Sequence, residues 1–500
     1  MMVLPRRSLL TLPLAVTLPA PLRAQASRPI IVGPTFLAAS LDPVQGAAGW
    51  ALQSHGVAEA LFSTDRSGTT VPNLARTARR EADGSWTVTL LPGLRFSNGS
   101  SCDATALLAT RKPPPPPLRG PWRRTRARTG LGAATRIEAT DAVTLPLHPE
   151  RPVGALAPLL AEFPLVVHRR LEDGSIVFTG PWMARELRRG DRILLEPNPH
   201  FRSGADRPPA VIRRIADANA LAIGLEAGVL DLAFGLATET LPRLRGAPSV
   251  TIVSTPVVYQ YMLLLNLRRP ALANPKVRAA LSLALDRGQL VRAIGGGVPA
   301  SGLFPAHMPW GLPDALPTDR AGAAALLDEA GWRLERGVRR RGGEPLELTL
   351  TAYPQRPDFL TLAPVVRAQL EALGIRLRTE VVEAITPAVQ AGRFDISFWT
   401  MHVAPGGDPA FVLEQYARTG APLNVMGFAD TELDVLLDRL AAAEQPAARH
   451  ALAGDAARML NASLPIIPLL TPEWHVGLSA RLAGYRPWPS DYHILHAEIR

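Results

Sequence analysis

The chain has 500 residues, of which 47% are hydrophobic and 20% charged, and a formal net charge of +10. Its composition excludes wholesale disorder, and its length calls for two or three domains. The charge would point to nucleic acid, except that three of the excess charges are Arg6, Arg7 and Arg23 and seven more lie between Arg111 and Arg128. The rest of the chain is formally neutral, so no nucleic-acid partner is expected.

Residues 1–26 read as an export signal. Arg6 and Arg7 make a positive start, Ser8 to Ala20 a short apolar run, and Ala24-Gln25-Ala26 a small-x-small cleavage pattern. Pro13 and Pro19 and the shortness of the run argue against a membrane span. The paired arginines suit a Sec or a twin-arginine signal, and the mature chain is expected outside the inner membrane, not membrane-spanning. Cys102 is the single cysteine, so the fold rests on packing and not on a disulfide.

Farther along, Trp86 to Leu90 alternates as a strand before a Pro92-Gly93 turn. The stretch "TRKPPPPPLRGPWRRTRARTG", Thr110 to Gly130, interrupts the globular pattern. Five successive prolines forbid a helix, because each lacks the amide hydrogen and clashes with the preceding turn. Val211 to Ile215 reads as a strand, Leu221 to Ala227 as a helix stopped by Gly228, and Val229 to Phe234 as a strand. Asn274-Pro275 starts a helix, asparagine at the cap and proline in the first turn. Asp319 to Ala330 is another, closed by Gly331. Strand-like alternation at Leu346 to Leu350, a helix from Asp358 to Leu373, and strands at Ile375 to Val382 and Phe394 to Trp399 make a βαβ unit. The whole is α/β. The Gly295-Gly296-Gly297 run lacks the lysine and hydroxyl residue of a phosphate loop, and no H-E-x-x-H, G-x-S-x-G or cysteine pair is present, so an enzyme is not expected.

Several segments, in order, resemble the extracytoplasmic solute-binding proteins of family 5, which serve peptide and nickel ABC importers. They include "SLDPVQG", "GVAEALFSTDRSGTTVPNLAR", "WTVTLLPGLRFSNGSSCDA", "GPWMARELRRGDRILLEPNPHF", "NPKVRAALSLALDRGQLV" and "AGRFDISFW". The resemblance implies a bilobal, type II periplasmic-binding-protein fold that closes on its ligand about a hinge. Residues 27–270 with 466–500 would form lobe I, carrying an inserted N-terminal subdomain at about 65–175, and residues 271–465 lobe II. It implies a monomeric periplasmic protein whose partners are a small-molecule ligand and the permease subunits of an ABC transporter.

"RFSNG", "GLFP", "GRFDISFW" and "APGGDPAF" resemble the nickel-binding branch. That branch implies a metal chelate as ligand, nickel or another divalent ion, and no resident cofactor. Arginines would grip chelator carboxylates and tryptophans would wall the pocket. Gln45, Trp50 and Ala51 fall where the branch lines its pocket. His402 stands at a wall tryptophan and Gly406 at a tyrosine. His402 is thus the candidate metal ligand, with a partly exposed loop histidine as the alternative. Pro405 occupies the place where dipeptide binders tend to carry an aspartate, which counts against a dipeptide with a free amino terminus. Peptide and opine binding within the same family stays open. Arg119 and Trp122 match the letters of an Arg-x-x-Trp segment that supplies a ligand arginine and a pocket tryptophan. Their surroundings do not match, and three readings of Thr110 to Gly130 remain: a polyproline loop insertion, a basic arm for an acidic membrane surface, or a reading-frame slip.

Overall fold

The computed structural model describes residues 28–108 and 135–499. The export signal, the proline–arginine stretch, Arg119 and Trp122 lie outside them.

Two large sheets organise the chain. The first has seven strands in the order Trp182–Arg188, Arg192–Pro197, Ala210–Arg213, Ile30–Pro34, Leu232–Phe234, Glu473–Ser479 and Val250–Pro256. Ile30–Pro34 runs parallel to both neighbours and the remaining pairs are antiparallel. Ile30, Val32, Trp182, Ile193, Ile212 and Val476 fill its core. The second has six strands in the order Val298–Pro299, Ile466–Thr471, Tyr259–Leu265, Ile396–His402, Glu347–Ala352 and Arg376–Val381. Its last three strands are parallel. As the sequence predicts, helix Pro357–Glu371 makes the crossover between Glu347–Ala352 and Arg376–Val381 and buries Phe359, Leu362, Val366 and Leu370. That stripe, at helical spacing, is what a parallel connection needs to cover its sheet.

The predicted caps form. Asn274 accepts from the Lys276 amide, opening helix Pro275–Ala284, and Asp319 accepts from Gly322, opening Arg320–Glu329. Each satisfies an amide that the first turn leaves without a partner. One strand is shorter than the alternation predicts, because the amides of Val229 and Leu230 both bond the Gly224 carbonyl. They close the end of helix Ala218–Glu226, and the ladder begins only at Leu232.

The chain passes from the first sheet to the second between Pro256 and Tyr259 and returns between Thr471 and Glu473. The two crossings are neighbours, since Tyr261 pairs with Leu470. Both lie outside the 271–465 span read as lobe II from sequence. Side-by-side connectors of this kind bend while the bodies they join stay rigid.

A four-stranded antiparallel sheet, Ala75–Arg80, Trp86–Leu90, Thr144–His148 and Arg136–Ile137, forms a separate layer. Val88, Phe96, Leu145, Leu156 and Val167 pack its core, together with Cys102. Burial pushes the Cys102 thiol up to about 12, with Glu59 and Asp103 adding to the shift, so it stays protonated.

Candidate functional site

The two sheets and the C-terminal tail meet around Asp491, which is wholly buried. Its carboxylate collects donors from three distant parts of the chain. Trp50 Nε1 donates to Oδ1 at 3.0 Å, the Tyr259 hydroxyl donates to the same oxygen, and Arg356 Nη2 donates to Oδ2 at 2.9 Å. Trp50 belongs to helix Ala48–Ser54 beside the first sheet, and Tyr259 begins the first strand to enter the second. Arg356 precedes the crossover helix of the second. The first sheet also reaches the second directly, where Thr35 Oγ1 donates to the Gln355 carbonyl at 3.2 Å.

Arg356 is the cation of this seam. Its guanidinium carbon lies 4.9 Å from the centre of the Trp474 ring and 5.6 Å from that of Tyr259. Its side chain is only 15% exposed. Burial alone would lower its proton affinity, but Asp491 and the tyrosines more than offset that, so it stays charged. Among the described residues Nε and Nη1 make no hydrogen bond, which leaves four of the five N–H donors of the planar fork unused. The carboxyl of Asp358, held by the Tyr261 hydroxyl at 2.7 Å, is pushed up to about 6 by burial.

His402 ends strand Ile396–His402 opposite Tyr259. It is buried, not the partly exposed loop histidine that sequence left open, because the central position of its strand in the second sheet carries it inside. Its ring lies 5.1 Å from both the Tyr259 and the Tyr492 rings. Nδ1 accepts from the Ala404 amide at 3.2 Å, and Nε2 makes no hydrogen bond among the described residues. Burial, with help from His493, holds its pKa down to about 3, so the ring is neutral, and with Nδ1 accepting, Nε2 carries the ring's one proton. Among the described residues no group of three or more His, Cys, Asp and Glu is placed to hold a metal ion. A chelated metal reaching this seam would therefore bring most of its ligands with it.

The other predicted residues divide. Trp50 joins the cluster and also packs on Phe36, ring centres 4.3 Å apart, so it is both wall and core. Gly406 sits where the loop after His402 presses on the subdomain. A Cβ there would meet the Pro158 carbonyl oxygen at 2.1 Å, which is why glycine is required. Its amide donates to Glu162 Oε1 at 3.1 Å. Gln45 is exposed and bonds only its neighbour Asp42, at 3.3 Å. It does not join the cluster, and Ala51 is buried beneath it.

Sequence reasoning missed Arg356, Asp491, Tyr259, Tyr492 and Glu162. No spacing links them, since they come from four separate segments. The one available signal was the polar, aromatic tail "SDYHILH".

Two α/β sheets joined by paired crossings thus meet at an aromatic seam that holds the Arg356 guanidinium. Residues 69–422 match the model of the bacterial extracellular solute-binding proteins, family 5 (middle region), and the chain belongs to that family. It is 25% identical over 445 residues to the nickel-binding periplasmic protein of Escherichia coli K12, covering 83% of each chain. It is 24% identical over 459 residues to the glutathione-binding protein GsiB of Salmonella paratyphi A, covering 85% of each. In structure it superposes on NikA from Staphylococcus aureus in complex with Ni(L-His)2 with a TM-score of 0.83 at 17% identity, covering 93% of this chain and 98% of that one. The relatives are transport-associated binding proteins, and no described helix is long and apolar enough to cross a membrane.

Two expectations follow. Replacing Asp491 with alanine would strand Arg356, Trp50 Nε1 and the Tyr259 hydroxyl, at a cost of roughly 3–5 kcal/mol. Denaturant unfolding of Asp491→Ala reads it, and a loss under about 1 kcal/mol would contradict the buried pair. The second concerns pH. The His402 ring stays neutral in the fold down to about 3, whereas in the unfolded chain it takes up a proton near 6.5. The unfolded state binds more protons in that window, so this ring's contribution to stability is lost as pH falls from 6.5 towards 3. Asp358 and Glu162, both raised, act in the opposite sense. The wild type should therefore lose more stability than His402→Gln between pH 7 and pH 4 in a thermal-unfolding series, and parallel curves would refute the assignment.

Proposed function

We propose that this chain is the extracytoplasmic receptor of an ABC importer. It is exported through a Sec or twin-arginine signal, captures a small carboxylate-bearing ligand between its lobes, and delivers it to the permease. It acts as a monomer and carries out no reaction. The observation that carries the reading is Arg356, a buried guanidinium at the seam between the lobes with four of its five N–H donors unused among the described residues. Such a fork matches a carboxylate with paired hydrogen bonds, and a dry aromatic setting strengthens them. Asp491 anchors the guanidinium from behind, so that little is lost in ordering it when ligand arrives.

A nickel or other divalent chelate of an amino acid or small organic acid fits this chemistry. The chelator's carboxylate would meet Arg356, Trp50 would wall the pocket, and His402 would ligate the metal through Nε2 on moving its proton to Nδ1 and giving up the Ala404 amide bond. The nickel-binding relative and the Ni(L-His)2 complex of the structural neighbour favour it. A peptide or opine is the second reading, and a specific feature favours that one too, the unpaired carboxylate of Glu162.

A thermal-shift screen of the mature chain tests the reading. The panel holds nickel with and without histidine, other divalent ions, opines, and di- to pentapeptides with their N-acetylated forms. A ligand at a hundred times its dissociation constant stabilises the fold by roughly 2.7 kcal/mol. Nickel with histidine, or one of the carboxylate-bearing organic ligands, should raise the wild-type midpoint, and Arg356→Lys should abolish most of that rise. A ligand whose shift survives Arg356→Lys unchanged would overturn the assigned grip.

A further inference from the structure

Glu162 follows the short helix Leu156–Leu159, at the face of the subdomain that meets the Gly406 loop of the second lobe. The side chain is buried, with the residue 1% exposed. Oε1 accepts from the Gly406 amide, while Oε2, equally buried, has no hydrogen-bond partner among the described residues. The charged group felt at this carboxylate is Asp408, which has the same sign, and burial and Asp408 together hold its pKa well above the usual carboxylate range against the pull of the Gly406 amide. Asp408 is itself committed, since both its oxygens accept from Arg449. Asp491, by contrast, is fully satisfied. Glu162 is therefore an acid at the junction of subdomain, second lobe and tail without a counter-ion among the described residues. A buried polar atom left in this state costs stability unless something supplies its partner.

Its surroundings indicate what that partner is. The next residue, Phe163, sets its ring edge-on to that of Tyr492, 6.2 Å between centres. Tyr492 in turn touches His402. A carboxylate oxygen beside aromatic rings is a setting that favours a protonated amine, which gains a charge-assisted hydrogen bond from the acid and a ring-face attraction from those rings.

We propose that Glu162 Oε2 is the subsite for a protonated amino group of the captured ligand. The proposal rests on capture between the lobes and narrows the ligand class to compounds carrying both a carboxylate, for Arg356, and a free amine. It assigns the acid to the subdomain, from a position that the sequence pattern did not single out.

The test uses the mature chain and calorimetric titration with those di- and tripeptides that shift the wild type, alongside their N-acetylated forms and nickel with histidine, in wild type and Glu162→Gln. Glutamine keeps the acceptor for the Gly406 amide and removes the charge. The free-amine peptides should bind the wild type and the acetylated ones should not. Glu162→Gln should weaken the free-amine ligands roughly ten- to hundredfold, the loss of one charge-assisted hydrogen bond. Without ligand its unfolding midpoint should equal or exceed that of the wild type, since an unpaired buried acid has been removed. Equal binding of acetylated and free peptides, or undiminished binding by Glu162→Gln, overturns the subsite and leaves capture between the lobes standing. So does a response to nickel with histidine alone. A lower ligand-free midpoint in Glu162→Gln marks a structural role and also overturns it. A panel in which nothing binds the wild type overturns the proposed function and the subsite together.

Discussion

A carboxylate removed from water must be given every partner that water would have provided, and Asp491 meets that condition only when the two lobes and the tail are together. Its three donors come from residues 50, 259 and 356. Moving the lobes apart would return part of that set to solvent, and burying it again requires all three. The cost of desolvating the pair is large and its attraction only roughly repays it. The gain is therefore one of geometry more than of stability. The cluster fixes where the guanidinium points and which rings stand beside it.

The rest of the site follows from that geometry. Because Asp491 holds one Nη2 hydrogen, the other four N–H donors of Arg356 have no partner among the described residues and are open to a ligand. Because Tyr259 starts the strand that pairs with His402, the histidine is drawn into the same seam and kept neutral by burial. Because Gly406 has no side chain, the loop beyond His402 can press against Pro158 and bring Glu162 within reach of its amide. The glycine that follows, Gly407, has a φ of 80°, which lets the loop turn there without strain. On the proposed reading, the anchored guanidinium of Arg356 and the buried Glu162 Oε2 form a complementary pair for an amino-acid-like ligand. Ligand chemistry in this family would then be set by a few buried charges on a shared bilobal frame.

Local structure was legible in the sequence where local physics decides it. The caps at Asn274 and Asp319, the crossover helix and its parallel strands, and the α/β class all follow from short-range pattern. Val229 and Leu230 read as strand because their side chains are apolar, yet their amides are taken by Gly224 to finish a helix, which no alternation records. The site was legible only in part. Trp50, His402 and Gly406 were reached by resemblance, and the structure gathers them at or beside the seam, while Gln45 stays on the surface. Arg356, Asp491 and Glu162 were invisible because their meaning lies in burial and in each other's company, and each is an ordinary charged residue in its own segment. The assignment of charge by location anticipated how little of the net +10 the described body would carry.

The central claim is that the buried Asp491 cluster holds the two lobes together about their paired crossings. A direct measurement is the distance between spin labels placed on each lobe, at the exposed positions Val229 and Val435, by Val229→Cys and Val435→Cys. The native Cys102 is buried with its thiol pushed up to about 12, so it will not compete for label. The account predicts one narrow distance distribution in the otherwise wild-type chain. In Asp491→Asn it predicts a broader distribution reaching to longer distances. The same narrow distribution in both proteins would contradict it, and would mean that something other than this carboxylate keeps the lobes closed.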